Sequence, residues 1–168
     1  MCLLFAQEQM LPMFQSNSYT TPVTEFTLFK ERSERMFLGV EHVGVAVRNL
    51  DEAIHVYRDV LGFKLEGVHV LKERKVKAAF LSTGGEAQIE LLEPLGSDST
   101  IAKFLESRGE GTHHVAVRVD DVWKTLEEFK KKGIALVDEE PRAGADGKKI
   151  AFVHPKSTKG VLMELVMK

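Results

Sequence analysis

The amino-acid sequence predicts an α+β fold built from two βαβββ modules. The evidence is a repeat along the chain, because the segment 42–47 (His-Val-Gly-Val-Ala-Val) returns at 114–119 (His-Val-Ala-Val-Arg-Val), 72 positions later. A second segment, 89–92 (Ile-Glu-Leu-Leu), returns at 163–166 (Met-Glu-Leu-Val), 74 positions later. Self-similarity at a nearly fixed spacing indicates a duplicated supersecondary unit, so both halves should share one order of strands and helix.

The first module is predicted over residues 40–95. Its first strand, residues 40–47, alternates in polarity and is rich in Val. Asn49 then caps a helix, Glu52 completes a capping box, and Gly62 ends the helix. Three further strands are predicted over residues 63–70, 76–82 and 87–92.

A connecting helix is predicted over residues 98–109, and the second module follows over residues 112–168. In this module either Asp120 or Asp121 caps the helix, and Gly133 ends it. The strands of the second module are predicted over residues 114–119, 134–138, 149–153 and 161–167.

Residues 1–36 lie outside the repeat, and their middle part is rich in Ser, Asn, Thr and Pro. We expect a disordered N-terminal extension over these residues, with Met36 as the natural start of the protein. The remaining residues, 37–168, form the predicted domain.

Composition excludes several classes of partner. The chain has 168 residues and a formal net charge of −2, so its overall charge does not favour nucleic acid or an anionic membrane. No apolar run approaches the roughly 20 residues of a membrane-spanning helix. Cys2 is the single cysteine, which excludes an intramolecular disulfide and fits a reducing compartment. We therefore expect a cytoplasmic protein, with an organellar matrix as the alternative.

Each repeat carries one histidine near its start and one glutamate near its end: His42 and Glu90 in module one, His114 and Glu164 in module two. On each strand the residue two positions after the histidine is small, which leaves room beside the imidazole. A carboxylate on a core-facing strand is costly unless it is paired or bound to a cation. The four residues are therefore predicted to bind one divalent metal ion, from the group Zn²⁺, Co²⁺, Ni²⁺, Fe²⁺ and Mn²⁺.

Two other residues are weaker candidates for this site. His113 precedes His114, and strand alternation predicts that its side chain points to the opposite face. Gln88 competes with Glu90, but only Glu90 aligns with Glu164 in the repeat. A single His or Glu on a strand is usually an ordinary core or surface residue. The joint repetition of both residue types favours a metal site.

The chain from about residue 40 to residue 168 resembles the methylmalonyl-CoA epimerases of the vicinal oxygen chelate superfamily, which also includes glyoxalase I. The resemblance is carried by residues 42–47, 89–96, 111–117 and 154–165, and the last of these, which begins His-Pro-Lys-Ser, is the most specific. It implies the glyoxalase fold, in which two βαβββ modules form a cupped mixed-sheet half-barrel around a metal site.

The resemblance also implies a function. Metal ligands fall on His42, Glu90, His114 and Glu164, Co²⁺ is the expected ion, and a homodimer is the expected assembly. The (2R) and (2S) forms of methylmalonyl-CoA would be interconverted by removal of the α-proton, with the metal stabilising the enolate. Glu164 is the candidate base for one face of this acyl-CoA substrate. Lys156 is a candidate to bind the phosphates of coenzyme A.

The sequence departs from the family pattern at one position. The second base of the family is a glutamate on the third strand of module one, whereas residues 76–80 hold no carboxylate, so another group or a water would serve the second face. Three alternatives follow: a lactoylglutathione lyase (glyoxalase I) with the same four ligands, a ring-cleaving dioxygenase with two His and one carboxylate, and a metal-free binding protein. The metal-free protein would be expected to lose the two histidines.

Overall fold

The computed structural model describes residues 36–144 and 147–167, and within them the chain forms one mixed eight-stranded sheet. The strands are β1 Phe37–Ala46, β2 Lys64–Leu71, β3 Val76–Ser82, β4 Gln88–Pro94, β5 Gly111–Val119, β6 Arg142–Ala143, β7 Lys149–Val153 and β8 Met163–Met167. The helices are α1 Leu50–Ile54, continued by a π-helical turn His55–Val60, then α2 Thr100–Arg108 and α3 Val122–Lys131. The extension predicted over residues 1–36 lies outside the described residues, apart from Met36.

The strand order is β2-β3-β4-β1-β5-β8-β7-β6, so the two modules meet at the centre of the sheet. There β1 and β5, the first strands of the modules, pair in antiparallel fashion. Each is flanked by the last strand of its own module in parallel pairing, β4 beside β1 and β8 beside β5. This duplicated mixed sheet confirms the predicted α+β half-barrel fold.

The first helix of each module begins at a capping residue that the sequence predicted. The Asn49 side chain accepts hydrogen bonds from the backbone amides of Asp51 and Glu52, which satisfies two free donors at the start of α1. Asp121, not Asp120, caps α3 through the amide of Lys124 at 3.0 Å. Among residues 36–144 and 147–167, none of the helices has the length and hydropathy of a membrane-spanning segment.

The strand predicted over residues 134–138 is wrong. Only Leu136 forms a single bridge, and the short strand β6 pairs with β7 instead. The carboxylate of Asp138 explains the difference, because its Oδ2 accepts the backbone hydrogen of Phe152 at 2.9 Å. A side-chain acceptor thereby takes a hydrogen bond that a backbone carbonyl would take in a regular ladder.

One face of the sheet packs against helices, and the other carries a pocket. On one face, α1 and α3 cover two related clusters of buried apolar side chains. Leu91 on β4 packs under α1 and Leu165 on β8 packs under α3, and both are fully buried. Because strand side chains alternate, the preceding glutamates Glu90 and Glu164 lie on the opposite face. That second face carries the pocket, and α2 packs against one end of it.

Leu165→Ala should lower the free energy of unfolding by about 2–5 kcal/mol, because it removes a fully buried side chain from the core under α3. Urea denaturation followed by circular dichroism measures this change. Val70→Ala is the control, because Val70 is 54% exposed on the edge strand β2, so its substitution should change stability by less than about 0.5 kcal/mol. Equal losses in both variants would contradict the assignment of the core.

Candidate metal centre

Two rows of side chains cross the pocket face of the four central strands. Each row holds an acid, a small residue and a histidine in paired positions: Glu90, Gly44 and His114 in one row, and Glu164, Ala116 and His42 in the other. Side chains at paired positions stand on the same face of a sheet. The small residue in the middle of each row lets the acid and the imidazole approach each other above it.

The ends of the four polar side chains meet between the two rows. The two imidazole Nε2 atoms of His42 and His114 lie 2.9 Å apart. Oε2 of Glu164 lies 3.3 Å and 3.1 Å from these two nitrogens, and Oε2 of Glu90 lies 3.4 Å and 3.5 Å from them. All four residues are buried, with exposed fractions of 5–7%. The structure thus brings together the four residues that the repeat singled out.

These separations fit a bound divalent cation. Ligand atoms about 2.1 Å from a metal ion lie roughly 3.0–3.5 Å from one another in common coordination geometries, which matches the observed spacing. Two neutral imidazoles cannot place two lone pairs face to face without a proton or a cation between them. Within the described residues, His42, His114 and Glu164 form a group with metal-binding spacing, and Glu90 adjoins it.

Burial couples the charges of these groups. Burial alone would lower the pKa of His42, but hydrogen bonds to the carboxylates of Glu164 and Glu41 outweigh it and raise the pKa to about 10. Burial alone would raise the pKa of Glu164, but hydrogen bonds from His114 and His42 lower it to about 2. Burial raises the pKa of Glu90. A positive charge between the four groups is therefore favourable, and a divalent cation would supply it.

The residue before each central histidine is the extra residue of a β-bulge. The β1–β5 ladder shifts by one residue at Glu41 and again at His113. The Glu41 carboxylate accepts a hydrogen bond from Nδ1 of His42, and Nδ1 of His113 lies 3.0 Å from Nδ1 of His114. The prediction that His113 points to the opposite face is therefore wrong, because a bulge interrupts strand alternation and both histidines line the pocket.

The four polar side chains lie in a pocket of about 390 Å³. Two phenylalanines extend the rows, since Phe80 pairs with Glu90 and Phe152 pairs with Glu164. Both rings line the pocket and place apolar surface beside the carboxylates. The two Phe residues are 72 positions apart, so the same repeat that indicated the ligands also held the signal for these walls.

Charged residues from distant loops line the rest of the pocket: Glu73, Arg74, Lys75, Asp98, Arg142 and Lys148. Arg74 Nη2 donates to the carbonyl of Ala143 at 2.7 Å, which links the β2–β3 connection to β6. Sequence patterns did not show that these residues lie together, because only the tertiary fold brings their segments into one pocket. Lys156 is exposed on the turn before β8 and is not among the described residues that line the pocket, so its role stays a prediction.

Residues 41–152 match the glyoxalase/bleomycin resistance protein/dioxygenase superfamily. The chain belongs to this superfamily. A mouse protein named methylmalonyl-CoA epimerase, mitochondrial, is 42% identical over 88% of this chain and 82% of its own length. The resemblance to methylmalonyl-CoA epimerases that the sequence motifs indicated is thereby confirmed.

Solved structures agree with this resemblance. The methylmalonyl-CoA epimerase of Mycobacterium tuberculosis superimposes with a TM-score of 0.75 at 40% identity, covering 80% of this chain and 90% of that one. A methylmalonyl-CoA epimerase solved in complex with methylmalonyl-CoA and NH₄⁺ gives a TM-score of 0.73 at 37% identity. That alignment covers 79% of this chain and 95% of the other.

His114→Ala should abolish stoichiometric binding of Co²⁺ or Zn²⁺ at neutral pH, because one of the two facing imidazoles is removed from the site. Metal content after dialysis, together with calorimetric titration, measures the loss. His55→Ala is the control, since the His55 side chain is 68% exposed on the π-helical turn after α1. Full metal binding by the His114 variant would contradict the assignment of this ligand.

Gly44→Ala should weaken metal binding by roughly 10-fold or more, because an added Cβ would overlap the His114 ring and push it out of place. Gly85→Ala is the matched control, since a Cβ there meets only Thr83 Oγ1, at 3.9 Å. Competition with a chelating dye gives both affinities. An unchanged affinity in the Gly44 variant would show that His114 does not need its present position.

Proposed function

We propose that this chain is an isomerase that interconverts (2R)- and (2S)-methylmalonyl-CoA with the help of a divalent cation. The observation that carries the proposal is the convergence of His42, His114, Glu90 and Glu164 in a pocket of the epimerase-like fold. The relatives support the choice of substrate, because they are named methylmalonyl-CoA epimerases and one was solved with methylmalonyl-CoA bound.

In this proposal His42, Glu90, His114 and Glu164 hold the cation. A bound divalent cation supplies Lewis-acid stabilisation of the negative charge that develops on a thioester oxygen when the α-proton leaves. The aromatic walls Phe80 and Phe152 limit the access of water to the acidic side chains. Exclusion of water lowers the local dielectric constant, so fixed charges stabilise a developing negative charge more strongly than they would in solution.

We assign Glu164 as the base on one face of the α-carbon. Its carboxylate lines the pocket, and hydrogen bonds from the two histidines keep its pKa low enough for ionisation at neutral pH. A base must lie within hydrogen-bond reach of the proton that it removes, so the proposal requires the α-carbon to bind beside the Glu164 carboxylate. The strand β3 offers Ala78 and Phe80 to this side of the sheet, so the second face depends on another group or on a water.

Coenzyme A carries phosphates, which bind to cations. We propose Lys156 as a candidate for this role, because its turn, Pro155–Ser157, lies in the connection that leads into β8, the strand that carries Glu164. Arg74, Lys75 and Arg142 are additional candidates, since they line the pocket beyond the acidic centre. A long acyl-CoA would extend from the buried centre to the surface. Its phosphates could therefore bind either to the cations that line the pocket or to the exposed Lys156.

Three finer parts of the proposal depend on family resemblance and composition. We propose Co²⁺ as the native ion, although the same ligand set also suits Zn²⁺, Ni²⁺, Mn²⁺ and Fe²⁺. We propose a homodimer, which light scattering tests directly. We propose a cytoplasmic location with an organellar matrix as the alternative, which cell fractionation tests.

The Co²⁺-loaded protein should exchange the α-proton of methylmalonyl-CoA with deuterated water. Glu164→Gln should slow this exchange by at least about 100-fold, because an amide cannot accept the proton. Proton NMR of the substrate follows the exchange, and metal content is measured in parallel so that loss of the ion is separated from loss of the base. The exposed variant His55→Ala should retain the full rate.

Exchange no faster than background, with the metal bound, would reject the epimerase proposal. In that case the glutathione hemithioacetal of methylglyoxal should be tested on the same preparation, because a lactoylglutathione lyase would use the same four ligands. Turnover of the hemithioacetal without exchange of methylmalonyl-CoA would favour the lyase.

A further inference from the structure

A chain of charged contacts leads away from His42 on the side opposite the metal centre. Nδ1 of His42 donates to one carboxylate oxygen of Glu41, and Nζ of Lys148 donates to the other oxygen at 2.8 Å. The Glu41 carboxylate is largely shielded from water, with 15% of its side chain exposed. Lys148 comes from the segment before β7, in the other module, 107 residues along the chain. The contact therefore ties one half of the sheet to the imidazole of the other half.

The β-bulge makes this arrangement possible. In a regular strand the side chain of Glu41 would point away from His42, because neighbouring residues face opposite sides. The register shift between β1 and β5 at Glu41 returns its side chain to the side of the imidazole. The module-two strand has a bulge at the equivalent place, where His113 contacts the ring of His114. The bulge and the contact are both duplicated, so each imidazole is contacted at Nδ1, on the side away from the metal centre.

We propose that Glu41, held in place by Lys148, is a positioning residue that fixes the tautomer and the orientation of His42 for metal binding. A carboxylate that accepts the Nδ1 hydrogen keeps the Nε2 lone pair available for a cation. Lys148 engages the second carboxylate oxygen, so Glu41 presents one oxygen to the ring and stays out of the metal site. This inference rests on the proposed metal site but not on the proposed reaction.

Glu41 and His113, the two residues behind the imidazoles, differ in chemistry, and this difference gives a specific expectation. Glu41 offers a carboxylate, which accepts from Nδ1 of His42 and from Nζ of Lys148. His113 offers a ring nitrogen, which lies 3.0 Å from Nδ1 of His114. Removal of the negative charge at Glu41 should therefore weaken the hold on His42 and leave the ring of His114 in place.

The test compares Zn²⁺ affinity in the full-length protein and in four variants, by competition with a chelator of known affinity. Glu41→Ala should bind Zn²⁺ about 10- to 100-fold more weakly, as is typical when the partner of a ligand imidazole is lost. Glu41→Gln should lose less, because its amide oxygen can still accept the Nδ1 hydrogen. Lys148→Met should also lose affinity, whereas Lys149→Met, at the adjacent exposed lysine, should bind like the parent protein.

A spectroscopic measurement separates positioning from general stability. In the Zn²⁺-loaded protein, the Nδ1 hydrogen of His42 should give a downfield ¹⁵N-coupled proton resonance. The Glu41→Ala substitution should shift or remove this resonance, and Lys149→Met should leave it in place.

A Glu41→Ala variant with unchanged Zn²⁺ affinity and an unchanged resonance would overturn the inference. If Glu41→Ala does not fold, Glu41→Gln gives the same comparison, and full parental affinity and resonance position in that variant would overturn the role of the charge. Absence of Zn²⁺ binding by the parent protein would instead reject the metal site itself.

Discussion

The structure depends on the burial of two carboxylates and two imidazoles at one point of the sheet. Charged groups are expensive to remove from water unless opposite charge compensates them nearby. Here Glu164 and Glu90 lie within 3.5 Å of both imidazole Nε2 atoms, in a position that water barely reaches. A divalent cation bound between them would satisfy all four groups at once and would compensate the cost of these polar residues on an inner face of the sheet.

Duplication of the module supplies the geometry for this centre. Antiparallel pairing of β1 with β5 places each histidine opposite the small residue of the other module, and parallel pairing brings in the glutamates from β4 and β8. The small residue at Gly44 is part of this geometry, because a Cβ there would overlap the His114 ring. Ala116 takes the equivalent paired position opposite His42. The helices α1 and α3 pack on the other face of the sheet, against apolar side chains of the same strands.

The repeat predicts the fold class, most strands and the four central residues, because periodicity, caps and spacing are local properties of the chain. It does not predict the bulges at Glu41 and His113, since a register shift arises from pairing between distant strands. The strand expected over residues 134–138 is reduced to one bridge at Leu136, beside which the Asp138 carboxylate accepts the backbone hydrogen of Phe152. Hydrophobic patterns do not reveal such a side-chain acceptor. The basic lining that includes Arg74 and Arg142 likewise depends on tertiary structure.

The most direct test of this account is a crystal of the protein grown with Co²⁺, with anomalous diffraction measured at the cobalt edge. We expect one strong peak per chain, about 2.0–2.2 Å from Nε2 of both His42 and His114 and from an oxygen of Glu164 and of Glu90. A cobalt peak elsewhere, or four side chains that converge without binding the ion, would contradict the account.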